Sequence, residues 1–207
     1  MATLVTLGRS ASAEYTEKKS VFIGYASPVK SEEEAIEFIN TIKKKHSDAR
    51  HNAYAYMLGD GTVTRYSDAG EPQGTAGVPI FEIIKKGGFT DAVIVVTRYF
   101  GGILLGAGGL VRAYSTAAKL AVNEAGIVTY RTYREFTVKC SYQDHAKLTM
   151  LLSDPALLDD GTEFSDGVTV RLAIPEESFD AFARSVTETT SARAEIIKGS
   201  TRFDKNI

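Results

Sequence analysis

Apolar residues along the first two thirds of the chain recur with the period of strands in some segments and of helices in others. Three segments have the pattern of β-strands: residues 20–27, 51–58 and 62–66. Between the first and the second, Ile36, Ile39 and Ile42 recur at three-residue spacing. They follow a capping box formed by Ser31 and Glu34, so an amphipathic helix is predicted there.

Glycine and proline residues mark where these elements end. Gly59-Asp60-Gly61 joins the second and third strands and predicts a hairpin. Pro79 stands at the start of a short helix predicted over residues 80–86, which a pair of glycines ends. A strand over residues 92–98 follows. The first part of the chain is therefore predicted to combine strands and helices in one unit.

The segment from residue 93 to residue 122 passes from a strand into a helix through a glycine-rich turn. The turn contains five glycines: Gly101, Gly102, Gly106, Gly108 and Gly109. Apolar residues then recur at helical spacing as far as Val122, and Gly126 ends the helix. Glycine permits a positive φ or a close approach of another surface, so the turn is expected to have a backbone conformation or a contact that other residues would not allow.

Two explanations fit this glycine turn. The start of a helix presents unpaired N–H groups and a partial positive charge, and Arg98 and Arg112 flank it, which suits an anion. Alternatively, the glycines let the helix pack closely on its strand. Neither standard phosphate-binding motif is complete. Ala107 and Gly108 stand where the P-loop requires Lys and Ser or Thr, and residues 106–108 lack the third glycine of the dinucleotide motif.

The last third of the chain has a different pattern, which begins between Gly126 and Arg134. Its predicted elements are, in order, a strand at 135–142, a helix at 144–152, strands at 157–164 and 168–174, a helix containing Phe179, Phe182, Ala183 and Val186, and a strand at 193–197. This β-α-β-β-α-β order is that of a ferredoxin-like domain. We therefore predict an α+β protein with domains at residues 1–130 and 131–207.

Composition places the chain among ordinary globular proteins. Of its 207 residues, 43% are hydrophobic and 24% are charged, and no apolar run approaches the roughly 20 residues that cross a bilayer. The N-terminal segment lacks the pattern of a secretory signal, so a cytoplasmic protein without a membrane partner is expected. The net charge of −2 argues against coating nucleic acid through bulk charge. The run Lys43-Lys44-Lys45 is expected to be a solvated helix end.

No metal, cofactor or catalytic residue is predicted. Cys140 lies in an alternating run and is expected to be buried in a strand. None of the three histidines has the spacing of a metal ligand to another histidine or to the cysteine.

The loop from Ser67 to Gly77 is the second candidate site. It contains two carboxylates, a proline and three glycines, which suit either a sharp turn or a recognition surface. Glu71 favours recognition, because a turn does not require it and its neighbours Gly70 and Pro72 restrict its direction. Aromatic residues nearby would add stacking surfaces if they are exposed: Tyr54, Tyr56, Tyr66, Tyr99 and Phe100.

Four motifs, in this order, resemble those of the IMPACT/YigZ family. The first two are KKSVF at residues 18–22 and ARHNAYAY at residues 49–56. The other two are SDAGEPQGTAG at residues 67–77 and RYFGGILLG at residues 98–106. The chain departs from the family pattern at two positions. Ala69 stands where the family usually has a second Asp, and Ala53 where it often has Cys.

The resemblance implies a first domain that is an α/β sandwich similar to domain IV of elongation factor G. It also implies a connection with translation, since eukaryotic relatives regulate the pathway that controls initiation-factor phosphorylation. The expected function is that of a non-enzymatic regulator that binds RNA, the ribosome or a translation protein through its first domain. No oligomeric state is predicted.

An enzyme that acts on a phosphate-bearing small molecule is the alternative. In that case Asp68 or Glu71 would serve as a base or Mg²⁺ ligand, and the glycine turn would cradle the phosphate. Under the expected binding function, the candidate residues are Asp68, Gly70, Glu71, Gly74, Thr75, Arg98, Tyr99, Gly101, Gly102, Gly106, Gly108, Gly109 and Arg112.

Overall fold

The computed structural model describes residues 3–59 and 61–205 of the chain. These residues form an α+β protein with five α-helices and two antiparallel sheets. They divide into two compact units, one from Leu4 to Val128 and one from Thr129 onwards that includes Thr3. The division lies two residues before the predicted domain boundary. Asp60, the centre of the predicted hairpin turn, lies outside the described residues.

The first unit contains a five-stranded sheet and three helices. Its elements in chain order are β1 (Thr3–Leu7), β2 (Ala11–Glu17), β3 (Ser20–Pro28), α1 (Glu32–Lys45), β4 (His51–Leu58), β5 (Val63–Ser67), α2 (Gly77–Gly87), β6 (Ala92–Tyr99) and α3 (Gly106–Ala125). The hydrophobic pattern did not predict β1 or β2. Strand β2 is an edge strand whose sequence does alternate, but its apolar residues Ala11, Ala13 and Tyr15 are only half-buried and two of them are small.

The sheet of the first unit has the strand order β2-β3-β6-β4-β5, with each neighbouring pair antiparallel. The central strand β6 is covered on both faces, because helices pack on each side. Val93 and Val95 belong to the cluster formed with α1, whereas Ile94 and Val96 belong to the cluster formed with α2 and α3. Burial on both faces explains why this strand is a continuous apolar run.

Helix α1 begins at the predicted cap. The Ser31 hydroxyl accepts a hydrogen bond from the Glu34 N–H at 3.3 Å, and the Glu34 carboxylate accepts one from the Lys30 N–H at 2.8 Å. The prediction that Ile36 lies on the buried face is wrong, because 47% of this residue is exposed. It lies about 100° around the helix axis from the preceding residue. The buried face instead consists of Ala35, Ile39 and Ile42.

Helix α3 approaches the sheet closely at Gly24 in β3. A Cβ atom at this position would lie 2.3 Å from the carbonyl oxygen of Ala117 and 3.1 Å from the Cβ of Ala121. One turn earlier, the rings of Tyr114 and Phe22 meet edge to face at 5.2 Å. The sequence analysis did not single out Gly24, although it is this glycine that lets the helix pack closely on the sheet.

The second unit has the order strand, helix, strand, strand, helix, strand. Its elements are β7 (Ile127–Cys140), α4 (Tyr142–Leu152), β8 (Leu158–Phe164), β9 (Val168–Pro175), α5 (Phe179–Thr190) and β10 (Glu195–Lys205), with a short 3-10 helix (Glu176–Ser178) before α5. The strands lie in the order β10-β7-β9-β8. The main core of this unit lies between the sheet and the two helices, and Leu148, Phe182 and Val186 are among its buried residues.

The first and the last strand of the second unit, in chain order, are longer than predicted. Strand β7 begins at Ile127 rather than at residue 135, and β10 continues to Lys205 rather than ending at residue 197. The two extensions pair with each other as far as Tyr130 opposite Lys205, so backbone hydrogen bonding sustains strands that have little apolar alternation. Tyr142, predicted in the strand, begins α4 instead, because Ser141 caps the helix.

None of the helices in the described ranges is long and apolar enough to cross a membrane.

We expect Gly24→Ala to lower the free energy of unfolding by about 1–3 kcal/mol or more, because the new methyl group meets a backbone carbonyl that cannot move freely. Urea denaturation followed by circular dichroism measures this. Gly108→Ala is the matched control, since its Cβ would meet only the end of the Arg112 side chain, at 3.7 Å. That control should be neutral or stabilise the protein by up to about 1 kcal/mol. Equal losses in the two variants would contradict the close approach.

Candidate functional site

The glycine turn and the loop from Ser67 to Gly77 lie at one end of the first unit's sheet. Strand β6 ends there, and the register places Arg98 in β6 opposite His51 at the start of β4. The Nδ1 atom of His51 donates a hydrogen bond to the carbonyl of Ala69 in the loop at 2.9 Å. The two candidate segments of the sequence are therefore adjacent.

Asp68 holds the loop closed. One carboxylate oxygen accepts hydrogen bonds from the N–H groups of Ala76 and Gly77, at 3.0 and 2.8 Å, and the other accepts from Gly74 at 2.8 Å. Burial acts to raise the pKa of this carboxyl, but the three N–H donors outweigh it and hold the pKa below its ordinary value. Asp68 is thus ionised and fully engaged at the start of α2.

Other candidate residues of the loop also support its conformation. The Thr75 side chain is buried, and its hydroxyl donates to the carbonyl of Pro72 at 2.6 Å. Gly70 and Gly74 have positive φ values of 85° and 74°, which side chains rarely adopt. These residues shape the loop from within.

Glu71 is the centre of a buried cluster. Its Oε1 atom accepts hydrogen bonds from the guanidinium of Arg98 at 2.7 Å and from the hydroxyl of Tyr114 at 2.8 Å. All three residues are buried. Burial, and then the neighbouring Glu71 carboxylate, raise the pKa of the Tyr114 hydroxyl, so it stays protonated and donates. The cluster links the loop to strand β6 and helix α3.

The Arg98 guanidinium lies between two aromatic rings. Its central carbon is 5.5 Å from the ring centres of both Phe22 and Phe100. Its Nε atom is buried and has no hydrogen-bond partner among residues 3–59 and 61–205. Arg98 is therefore a charge of the interior, compensated by Glu71, rather than a cation presented to a ligand.

Tyr99 points to the opposite face of the sheet from its neighbour in β6, as successive residues of a strand do. Its hydroxyl donates to Asp48 at 2.9 Å and contacts Nδ1 of His46 at 2.8 Å, while Nε2 of the same imidazole contacts the Tyr25 hydroxyl at 2.6 Å. Burial, and then Lys45, hold the pKa of His46 below its ordinary value despite the opposing effect of Asp48. Tyr99 thus belongs to a separate polar network beneath the end of α1.

The glycines of the turn serve different purposes. A Cβ at Gly101 would lie 2.0 Å from the backbone of Lys19, so this glycine lets the turn pack on the β2–β3 hairpin. Gly102 and Gly106 have positive φ values of 82° and 71° and face open space. Gly108 is exposed in the first turn of α3, which has no side-chain cap. Close packing explains Gly101, and anion binding at the helix start stays a prediction.

Gly109 and Arg112 occupy the first two turns of α3. A Cβ at Gly109 would lie 3.0 Å from that of Leu105, within the same turn of the chain. Arg112 is exposed, and its guanidinium extends back to within 3.7 Å of where a Cβ would stand at Gly108. Arg112 is therefore the candidate cation that solvent can reach at the helix start.

Sequence reasoning named Phe100 as a possible exposed ring but missed the exposed aliphatic residues around it. Leu104 is 84% exposed and Phe100 is 54% exposed, and Ile103 and Val111 are also exposed. We call these four residues the apolar patch. The signal was present, because three consecutive aliphatic residues stand between glycines in a segment with too little regular structure to bury them.

Comparison with known proteins gives matches over both parts of the chain. The family model of the Impact N-terminal domain matches residues 18–122. The family model of a domain of unknown function, DUF1949, matches residues 138–193. The chain is 38% identical to "IMPACT family member YvyE" of Bacillus subtilis, over 94% of this chain and 90% of the relative. It is 41% identical to "Protein IMPACT homolog" of Dictyostelium discoideum, over 44% of this chain and 27% of the relative.

A solved structure is similar to the whole chain. It is titled "Crystal structure of an hypothetical protein", is 28% identical, and aligns with a TM-score of 0.61 over 97% of this chain and 98% of its own.

We expect Glu71→Gln to lower the free energy of unfolding by about 3–5 kcal/mol, because it leaves Arg98 as an uncompensated buried charge. Replacing both Glu71 and Arg98 with Met should recover most of this loss, since neither charge then remains. Urea denaturation measures both variants. Glu82→Gln is the control, because it breaks an exposed ion pair with Lys86 and should cost less than about 1 kcal/mol. A similar small loss in Glu71→Gln would contradict the role of the cluster.

We expect Asp68→Asn to lower the free energy of unfolding by about 1–3 kcal/mol at neutral pH, because the amide group cannot accept all three N–H bonds. The folded-state pKa of Asp68 lies below the ordinary 3.8 of the unfolded chain. The advantage of the wild type should therefore be complete above the unfolded pKa and disappear as the pH falls through the folded one. Denaturation at a series of pH values measures the difference, and a difference that is constant down to about pH 2 would contradict this role.

Proposed function

Because the chain belongs to the IMPACT family, we propose that it is a non-enzymatic, translation-associated protein that binds RNA, the ribosome or a translation protein through its first unit. The family connection supplies the link with translation. The surface of the first unit supplies the site, which we place at the glycine turn and the apolar patch.

The engagement of Asp68 and Glu71 carries the proposal. A general base or a metal ligand needs a free oxygen that faces the substrate. Instead, both Asp68 oxygens accept backbone N–H groups, and Glu71 is buried, with its Oε1 atom bound to Arg98 and Tyr114. These carboxylates support a rigid surface, and their arrangement does not favour the alternative of an enzyme that acts on a phosphate-bearing small molecule.

The apolar patch supports binding of a macromolecule. Large apolar side chains that stay exposed on a rigid scaffold are typical of interaction sites. Leu104 and Phe100 protrude from a turn whose base is fixed by the packing of Gly101 on Lys19 and of Phe100 on Arg98. The exposed first turn of α3, with Arg112 beside it, adds groups that attract an anion.

The architecture of both units agrees with the proposed link to translation. We infer that the first unit is similar to domain IV of elongation factor G, with helices on both faces of an antiparallel sheet. We likewise infer a ferredoxin-like second unit from its β-α-β-β-α-β order and its β10-β7-β9-β8 sheet.

We expect Leu104→Glu to reduce co-sedimentation of the protein with ribosomes by about tenfold, because it places a carboxylate at the centre of an apolar contact. Its fold should be unchanged, since the side chain is exposed. Met150→Glu is the control, because Met150 is 88% exposed and lies in the second unit. Ribosomes, ribosomal RNA and ribosome-free translation factors are assayed separately. Loss of binding in the control alone, or no binding of the wild type to any of the three, would contradict the proposal.

A further inference from the structure

Exposed cations from four separate segments converge at the end of the first unit's sheet that carries the glycine turn. They are Lys18 and Lys19 in the β2–β3 turn, Lys43, Lys44 and Lys45 in the last turn of α1, Arg50 before β4, and Arg112 in α3. The topology brings them to the same end of the sheet. Strands β2 and β6 and helix α1 end there, and strands β3 and β4 begin there. We call these seven residues the basic end.

Acidic residues are placed differently in the same unit. Glu32, Glu33 and Glu34 lie in the first turn of α1, which is the opposite end of that helix. At the end of the sheet that carries the cations, Glu71 and Asp68 are held inside the loop. The first unit therefore carries nearly balanced charges that are separated in space.

Two further acidic residues lie near the basic end, and each accepts a hydrogen bond from a tyrosine. Glu17 accepts a hydrogen bond from the Tyr15 hydroxyl at 2.8 Å, and Asp48 accepts one from Tyr99 at 2.9 Å. Neither is within ion-pair distance of a cation of the basic end in the described part of the chain. These cations thus remain available to a ligand.

Aromatic rings lie among these cations. The Lys43 ammonium lies 5.3 Å from the ring centre of Tyr54, and the Lys45 ammonium lies 4.9 Å from that of Tyr25. Phe100 presents about half of its surface beside the β2–β3 turn. Tyr25 is buried and Tyr54 is half-buried, so it is Phe100 that offers an exposed ring. Cations beside an exposed ring are the combination by which proteins bind the phosphates and bases of single-stranded RNA.

We infer that the basic end is a binding surface for single-stranded RNA, with its lysines and arginines on the phosphates and Phe100 stacked on a base. This inference rests on the proposed function and selects RNA among its possible partners. The cations are spread over several segments, which suits an extended polyanion better than a compact acidic patch on a protein.

The test is fluorescence anisotropy of the full chain with a labelled oligouridine of about 20 nucleotides, over about 50–200 mM salt. The variant that carries Lys18→Gln, Lys45→Gln and Arg50→Gln should bind about tenfold or more weakly. Its log–log salt slope should be about 2 units shallower, since each lost phosphate contact contributes about 0.7. The matched control carries Lys30→Gln, Lys85→Gln and Lys86→Gln, which removes the same charge elsewhere on this unit. It should change the affinity less than about twofold.

Three outcomes would overturn the inference. Equal weakening of the two variants would mean that bulk charge alone is responsible. Stronger competition by polyglutamate than by unlabelled oligouridine would identify an acidic protein as the partner. Absence of RNA binding at low salt, with ribosome binding still sensitive to Leu104→Glu, would remove this inference and leave the proposed function in place. Failure of both assays would remove both.

Discussion

The buried contact of Glu71 with Arg98 and Tyr114 is the constraint on which the geometry of the site depends. It joins the loop between β5 and α2, the end of β6 and the third turn of α3 through one carboxylate oxygen. Because a buried charge without its partner is very unfavourable, these three segments keep one arrangement. Phe100 packs on Arg98, so the glycine turn inherits this rigidity.

This constraint separates residues that support the site from residues that can meet a partner. The charged residues that dominate the two sequence motifs, Asp68, Glu71 and Arg98, are buried or engaged within the protein. The groups that face solvent are the apolar side chains of the turn and the cations around it. A motif rich in carboxylates can therefore mark a scaffold instead of a catalytic centre, because loops that present apolar residues also need internal polar contacts to hold their shape.

Local patterns predicted most helices and strands, but not which strands pair over their full length or on which face of the sheet each residue lies. The strand over residues 51–58 and the end of α3 at Gly126 were predicted correctly, since alternation and helix termination are local signals. The extensions of β7 and β10 depend on backbone pairing with distant segments, which hydrophobic alternation does not encode. The edge strand β2 pairs with the next strand, β3, across a short turn, and its half-buried residues were overlooked. Tyr99 was grouped with Arg98 as a candidate residue, yet β6 continues one residue past its predicted end, so strand alternation sends Tyr99 to the face opposite Arg98.

The net charge of the chain does not show where its charged residues lie in the fold. A charge of −2 disfavours a protein that binds polyanions over its whole surface, and a lysine run at a helix end is usually only solvated. Both arguments treat charges by their position in the sequence. In the folded unit, antiparallel strands return the chain repeatedly to the same end of the sheet, so cations from segments about 25 to 95 residues apart lie at that end. Because Coulomb interactions fall off over a Debye length of about 8–10 Å, such a cluster acts on a ligand independently of the acidic residues at the other end of the unit.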